Sequence, residues 1–399
     1  MAGCAGEPAQ LIEALTKRPE TATGVRFTGV HIPGVNSFCY ADLTPSTRQR
    51  SIFLSPVLRN AFEAGRVEYV PISYSSAYQW LTNTYFDWAF FQGADAGAGI
   101  NLSLAADFTP AAITNAKRIV GICNAQLPIT SAPSITDPRL HKIYADAALL
   151  NYDAGTLSPA FAQLGQIIAA HIPNGATLQF GLGKLQKALM QALHGHRNLR
   201  VHSGMVSDPL LDLERAGALA KDAEPGVCTG VALGSSALYQ RMQDIRFVRF
   251  MPVSHTHAAS TLAQLSQFVS INSIIEIDLT GQVNAEMLAG QQISGGGGMS
   301  DFITGARINL SGKSILAATA SVRSAAASTE FVSRIVCQLS PGTAVTIPRH
   351  DVDCVATEFG LVQLKHLSID ERAAALISIA DPRFRDTLAR QWAALRAGI

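Results

Sequence analysis

The sequence predicts an α/β protein assembled from parallel βαβ units in two domains, on three observations. Apolar runs of strand length alternate with helical patterns from end to end, which is how parallel βαβ units read in sequence. The alternation starts a second cycle near residue 155. A chain of 399 residues also exceeds what one ordinary hydrophobic core serves. The boundary divides the chain into residues 1–155 and 156–399.

The elements follow in order. In the first domain GVRFTGVHI, VEYVPISY, DWAFFQGA and RIVGICNAQ read as buried strands, and LSPVLRNAFEAG and DFTPAAITNAKR as helices. Asp107 or Thr109 is expected to cap the second helix, with Pro110 in its first turn. The second domain opens on SPAFAQLGQIIAAHIPNG, where Phe161, Leu164, Ile167, Ile168 and Ile172 keep helical spacing. ATLQFGLG then runs from strand into a glycine turn, and KLQKALMQALHG is a helix stopping at Gly195. VCTGVALG, VRFMPVS, SIIEIDLTG, SILAATA and AVTIPRHDVDCVATEFG supply further strand units, and the C-terminus is a helical pair divided near Pro382.

Composition narrows the function. Net charge is +1 and no basic block is present, which argues against a nucleic-acid partner. Only 15% of residues are charged and 48% are hydrophobic, so much surface is expected to be buried in cores and in a homo-oligomer interface. None of the six cysteines forms a CxxC pair, and they read as reduced thiols. MAGCAGEPAQ has neither a basic nor an apolar signal region, and no uncharged apolar run reaches the ~18 residues of a membrane span. The expectation is a cytoplasmic metabolic enzyme or small-molecule binder, with no membrane partner.

Five stretches could carry chemistry. RVHSGMVSDP, 200–209, reads as a strand entering a turn, with His202, Ser203, Ser207 and Asp208 near its end and Gly204 in the middle. ATLQFGLGKLQKAL places Gly181 and Gly183 where a new helix presents free N–H groups to an anion, or where a tight turn merely packs. SGGGGMSDFITGA puts Gly295, Gly296, Gly297 and Gly298 in a row, which suits a ligand lying against the chain or a flexible hinge. SHTHAA holds His255 and His257 two apart, on one side if the segment is a strand. No second ligand cluster accompanies them, so no metal is assigned. SINSIIEIDLTGQVNAE sets Asn272, Glu276 and Asp278 beside a buried strand, as acid–base groups or as carboxylates holding a turn. Tyr74, Tyr78 and Trp80 line a substrate pocket or belong to the core.

SINSIIEIDLTGQVNAE, SGGGGMSDFITGA and GKSILA together closely resemble the acetyl-CoA hydrolase/transferase family, which includes 4-hydroxybutyrate and acetate CoA-transferases. DVDCVATEFGLVQLKHLSIDERAAALISIADPRFRDTL, NGATLQFGLG, VEYVPISYSS and NAKRIVGICNAQLP extend the resemblance over nearly the whole chain. It implies two related open parallel-sheet domains of the CoA-transferase type with acyl-CoA between them. It further implies a coenzyme A thioester as substrate, no permanently bound cofactor, a small-molecule acceptor and a homodimer. Members use a glutamate that attacks the thioester and passes through a glutamyl-CoA adduct.

The family pattern at that glutamate is His-Thr-Glu-Met. Here His202-Ser203-Gly204-Met205 stands in its place, and the nucleophile is missing. Other departures gather nearby. Lys184-Leu185-Gln186-Lys187 replaces a proline-containing turn, Met299-Ser300 replaces a glutamine, and His255-Thr256-His257 replaces a Thr-Asn segment. Three readings follow. In one, the acyl group passes directly from CoA to water or another acceptor, with His202, His255 or His257 as base and Asn272, Gly296 and Gly297 holding the oxyanion. In another, the nucleophile has moved to Asp208 or Glu276. In the third, the protein is a non-catalytic CoA-ester-binding subunit. The glycines at 181, 183, 204 and 295–298 are assigned to binding the CoA ester in every case.

Overall fold

The computed structural model describes residues 1–220, 226–244, 246–323 and 330–397. Its second half is organised by an eight-stranded sheet, in the spatial order Val248–Phe250, Val227–Ala232, Arg200–Val206, Thr177–Phe180, Phe268–Ser273, Lys313–Ala317, Cys354–Thr357 and Gly360–Gln363. Every neighbouring pair is parallel except the terminal hairpin. The central strands are buried along their length, as Thr177–Phe180 and Val227–Ala232 show. Continuous burial is why these segments read as unbroken apolar runs.

The chain enters this sheet at its middle. It builds outward through the strands at 200, 227 and 248, then crosses back to lay Phe268–Ser273 on the other side of Thr177–Phe180. The order of winding therefore reverses between those two strands. In open α/β sheets the crevice at the carboxyl ends of such a pair is where ligands bind. The carboxyl ends here carry Gly181 and Gly183, Asn272, and on the adjoining strand Gly204. The returning crossover, through Val253–Thr256 and Ala259–Leu262, brings His255 and His257 to the same end.

The first half divides its strands between two sheets. Arg26–Gly29, Arg48–Ser51 and Val67–Tyr69 form a parallel layer of three. Phe86–Ala96, Ala116–Asn124 and Leu140–Ala145 are parallel, and Gly99–Asn101 and Ser134–Ile135 extend that sheet antiparallel. The α/β class with parallel-rich sheets is as expected.

Several local expectations hold. Ser158 caps Pro159–Ala169 by accepting from the Phe161 N–H, and Leu164 and Ile168 are fully buried. The C-terminal pair is Ile369–Ser378 and Pro382–Arg396, the first opened by a reciprocal Ser368–Glu371 capping box. Others need correction. The helix Thr109–Thr114 has Phe108 at its N-cap and no side-chain cap, so neither Asp107 nor Thr109 serves there. SHTHAA is a short helix rather than a strand end, so His255 and His257 do not share a strand face. SIIEIDLTG is divided: Phe268–Ser273 stays in the main sheet, whereas Glu276–Asp278 joins a separate sheet with Val283–Asn284 and Ile335–Val336.

The halves meet through backbone as well as side chains. Ala106 N–H donates to Gly230 O and Ala232 N–H to Leu104 O, both at 2.9 Å. Leu54 N–H donates to Ser294 O at 3.1 Å, and the Tyr69 hydroxyl donates to Glu286 Oε2 at 2.9 Å.

Candidate active site

Gly204 lies within Arg200–Val206, and what faces it is an imidazole. A β-carbon at position 204 would sit 2.9 Å from His257 Cε1 and 3.1 Å from Nε2. Gly298 meets the same ring from another side: a β-carbon there would collide with Nε2 and lie 2.7 Å from Cδ2. Phe302 and Tyr74 complete the enclosure, with ring centroids 4.4 Å and 5.1 Å from that of His257. Two glycines and two aromatic rings thus hold one buried histidine.

Burial pushes the His257 pKa down to about 3, with a smaller contribution from His202, so the ring is neutral at physiological pH. Its Nδ1 lies 2.8 Å from the Thr256 hydroxyl, and that hydroxyl in turn reaches Pro252 O at 3.4 Å. When Thr256 donates to Pro252 O, His257 Nδ1–H donates to Thr256 and Nε2 keeps its lone pair. His257 forms part of the wall of a cleft of about 460 Å³.

His202 has a different task. Its Nε2 donates to Thr256 O at 3.0 Å, which ties the central strand to the histidine-bearing crossover. Burial lowers its pKa to about 4. The His255 ring centroid is 5.8 Å from that of His202; the residue is half-buried, with its basicity lowered by desolvation and then by Arg249. The three histidines are therefore neighbours, but only His257 faces Gly204.

Asn272 belongs to a closed polar network at the switch point. Its amide donates to Gln179 Oε1 at 3.1 Å and to Ser270 Oγ at 2.9 Å, and Gln179 Nε2 donates back to Asn272 Oδ1 at 3.3 Å. Both amide hydrogens are committed inside the sheet, which leaves none for a substrate oxygen. Asp208 starts Pro209–Arg215 and holds the next turn: its Oδ2 accepts from Ser235 N–H at 2.8 Å, and its Oδ1 from the Ser235 hydroxyl. Glu276 Oε1 accepts from Asn284 Nδ2 at 3.0 Å in the small separate sheet. Asp278 is fully engaged by Thr280 and Gln282 and stabilises the DLTGQ turn.

The glycine run 295–298 is packed rather than loose. A β-carbon at Gly295 would collide with Ile52 O, and Gly297 has φ +56 with Phe53 beneath it. Gly298 is fixed by His257, and only Gly296 has room, its nearest neighbour being Thr346 at 3.6 Å. Three of the four are therefore required by the protein's own packing, which a flexible hinge would not need. Gly181 and Gly183 are different, with nothing within 4 Å of either β-position. Gly183, at φ +111, opens Lys184–Ala192 without a side-chain cap and leaves the helix N–H groups to solvent or ligand.

Sequence reasoning missed Asp301. It lies in the first turn of Met299–Ile308 and reaches across to the other half, accepting from Ser75 N–H at 3.0 Å and Ser75 Oγ at 2.5 Å. Burial raises its pKa, against these hydrogen bonds. The signal was an acid three residues beyond a glycine run, which says nothing of its partner. Tyr74 proves to be both core and site wall. Among the described residues no cluster of three or more His, Cys, Asp or Glu could hold a metal, and no helix is long and apolar enough to cross a membrane.

Comparison with known proteins agrees with this architecture. The family model described as the acetyl-CoA hydrolase/transferase N-terminal domain matches residues 1–141, and that of the C-terminal domain matches residues 234–392. A 4-hydroxybutyrate coenzyme A transferase of Clostridium kluyveri is 30% identical over 398 residues, covering 97% of this chain and 91% of its own. The crystal structure of RipA from Yersinia pestis superposes with a TM-score of 0.85 at 27% identity, over 99% of this chain and 93% of that one. A 4-hydroxybutyrate CoA-transferase from Porphyromonas gingivalis gives 0.78 at 25% identity, over 100% and 93%.

Proposed function

The chain belongs to the acetyl-CoA hydrolase/transferase family, an acyl-CoA-processing family of transferases and hydrolases, and on that premise we propose that it transfers the acyl group from CoA directly to an acceptor or water. One observation carries the reading: the space a side chain at Gly204 would need is filled by the His257 imidazole. A nucleophilic carboxylate is absent from the turn and has no volume to occupy there. A neutral base stands in its place. Asp208 and Glu276, the candidates for a relocated nucleophile, have carboxylate oxygens already bound by Ser235 and Asn284.

The acyl-CoA thioester lies along the carboxyl ends of the central strands, with Gly181 and Gly183 admitting its close approach. His257 Nε2 takes the acceptor's proton as the acceptor attacks the thioester carbon. Thr256 holds Nδ1 and so fixes the ring and tautomer. His202 positions the segment through Thr256 O. With Asn272 engaged elsewhere, the oxyanion falls to backbone N–H groups at the uncapped start of Met299–Ile308, beside Gly296 and Gly297. A positioned base contributes roughly 10²–10⁴ in rate when its pKa is matched to the operating pH; burial holds His257 below that match, and an activated thioester needs less help than an oxygen ester would.

The test has two parts. Thiol release from acetyl-CoA should be catalysed in the presence of a suitable acceptor, and borohydride treatment during turnover should trap no modified carboxylate by mass spectrometry. A trapped glutamyl or aspartyl adduct, or absence of thiol release with every acceptor tried, would defeat the proposal.

A further inference from the structure

We propose that Asp107 is the counter-charge of His257: its carboxylate, brought to the Gly204 strand by the first half of the chain, stabilises the imidazolium that forms when His257 takes the acceptor's proton. The inference rests on the direct-transfer reading above and adds a positioning residue to it, one that acts on the reaction through His257.

Two observations place Asp107 there. The first is a second glycine. Arg200–Val206 and Val227–Ala232 run parallel with Ser203 beside Thr229 and Met205 beside Val231. Gly204 and Gly230 are therefore neighbours that face the same side of the sheet, about 4.8 Å apart. His257 packs on Gly204. Asp107 packs on Gly230, where a β-carbon would lie 3.3 Å from Asp107 Cβ and 3.1 Å from Gly204 O. Two adjoining positions without side chains thus carry an imidazole and a carboxyl group on one face.

The second observation is how the backbone holds the two together. Ala105 bridges Val231, and Ala106 N–H donates to Gly230 O at 2.9 Å. Val253 N–H donates to Asp107 O at 3.0 Å, and His257 N–H donates to Val253 O at 3.0 Å. Asp107 is tied to the glycine strand on one side and to the histidine segment on the other. Tyr74 meets both: its ring centroid lies 5.1 Å from that of His257, and the Asp107 charge helps to push its hydroxyl pKa up.

Electrostatics gives the pair its use. Burial raises the Asp107 pKa to about 7, against hydrogen bonds from the Phe108 N–H and its own. No lysine or arginine is among the described residues of the cavity it lines. The His257 pKa of about 3 belongs to a pH at which Asp107 holds its proton. Above about 7 the carboxylate is ionised, and a nearby opposite charge favours the imidazolium. Of the other titratable groups around Asp107, Tyr74 and Cys4 are pushed up by burial and stay neutral, and the Met1 amine in the same cavity titrates at about 6.

The step balances. As the acceptor's oxygen or nitrogen bonds to the acyl carbon, its proton passes to His257 Nε2. The carbon–sulfur bond breaks with its electron pair going to sulfur, and the imidazolium returns the proton to the CoA thiolate. Asp107 exchanges no atom and supplies only charge.

The experiment follows thiol release from acetyl-CoA by the full chain across about pH 5.5–8.5, with far-UV circular dichroism as the check on folding. The wild-type kcat should rise with pH and level off above about 7. Asp107→Asn keeps the shape of the side chain and removes its charge. It should lower kcat at about pH 8 by tenfold or more, leave KM within about twofold, and abolish the rise near pH 7, which a merely structural loss would not do. A variant that keeps both the wild-type kcat and the rise overturns the inference and leaves direct transfer standing. If the variant does not fold, the wild type decides: a kcat flat between about pH 6 and 8 overturns it equally. Wild type that releases no thiol with any acceptor, or that yields a borohydride-trapped carboxylate adduct, defeats direct transfer and this inference with it, and an adduct on Asp107 would make that residue the nucleophile instead.

Discussion

At the scale of single residues, the proposed function rests on the packing of His257 against Gly204. The resemblance set Gly204 where the family carries its glutamate, on the strength of the flanking His202, Ser203 and Met205. The sequence does not show what packs against Gly204, since His257 arrives from a crossover whose path depends on sheet order. Restoring an acid alone should therefore fail. Gly204→Glu drives its β-carbon against a ring that Gly298, Phe302 and Tyr74 prevent from moving, and should lower stability by about 1–3 kcal/mol without giving a trappable thioester adduct. Gly204→Glu combined with His257→Ala should recover most of that loss, a coupling that denaturation midpoints of the four proteins in the cycle will measure. Additive losses would mean that the two side chains do not compete for one volume. His257 also sets a pH dependence. Its folded pKa of about 3 lies below the ordinary 6.5, so its contribution to stability is complete above 6.5 and is lost as pH falls toward 3. Between pH 6.5 and 5 the wild type should lose about 2 kcal/mol more than His257→Asn, read from urea unfolding at each pH.

At the scale of elements, the sequence is informative where one segment decides its own structure and silent where two segments meet. Ser158 before Pro159, and Ser368 with Glu371, announce helix starts by local chemistry, and the structure has them. Asp107 and Thr109 announced a cap that the backbone does not use, because Phe108 takes the N-cap position, whereas Pro110 does sit in the first turn. Glu276 and Asp278 read either as acid–base groups or as carboxylates holding a turn, and each has a nearby partner, Asn284 for one and the DLTGQ turn for the other. Asp208 is the informative case, since it follows the Gly204 strand and was a candidate nucleophile. Its oxygens instead join the start of Pro209–Arg215 to Ser235, the N-cap of Ser236–Arg241. Asp208→Ala should then destabilise the protein by about 1–3 kcal/mol, through the Ser235 groups left unpaired. Its kcat on acetyl-CoA should stay within about threefold of wild type. A collapse of kcat at unchanged stability would return Asp208 to the list of nucleophiles.

At the scale of the whole molecule, the two cycles of strand and helix that divide the sequence near residue 155 do not build two separate cores. Phe91, Ile100, Leu104 and Ile119 from the first cycle pack in one continuous cluster with Leu164, Phe180, Val201, Val231 and Phe250 from the second. The segment around Ala105 also bridges Val231 in antiparallel fashion, so backbone hydrogen bonds cross the divide where side chains already do. Neither half can present its native apolar surface to water without losing both. The chain should accordingly unfold as one cooperative unit, although its length alone would predict two. The tryptophans make this measurable, because Trp80 and Trp88 lie in the first cycle and Trp392 in the second. Variants that retain only one side's tryptophans should give fluorescence transitions in urea with the same midpoint as far-UV circular dichroism. Two separated midpoints would show that the halves are independent domains. His257, clasped by Tyr74 from the first cycle and Gly204 from the second, could then be released from its site without unfolding either one.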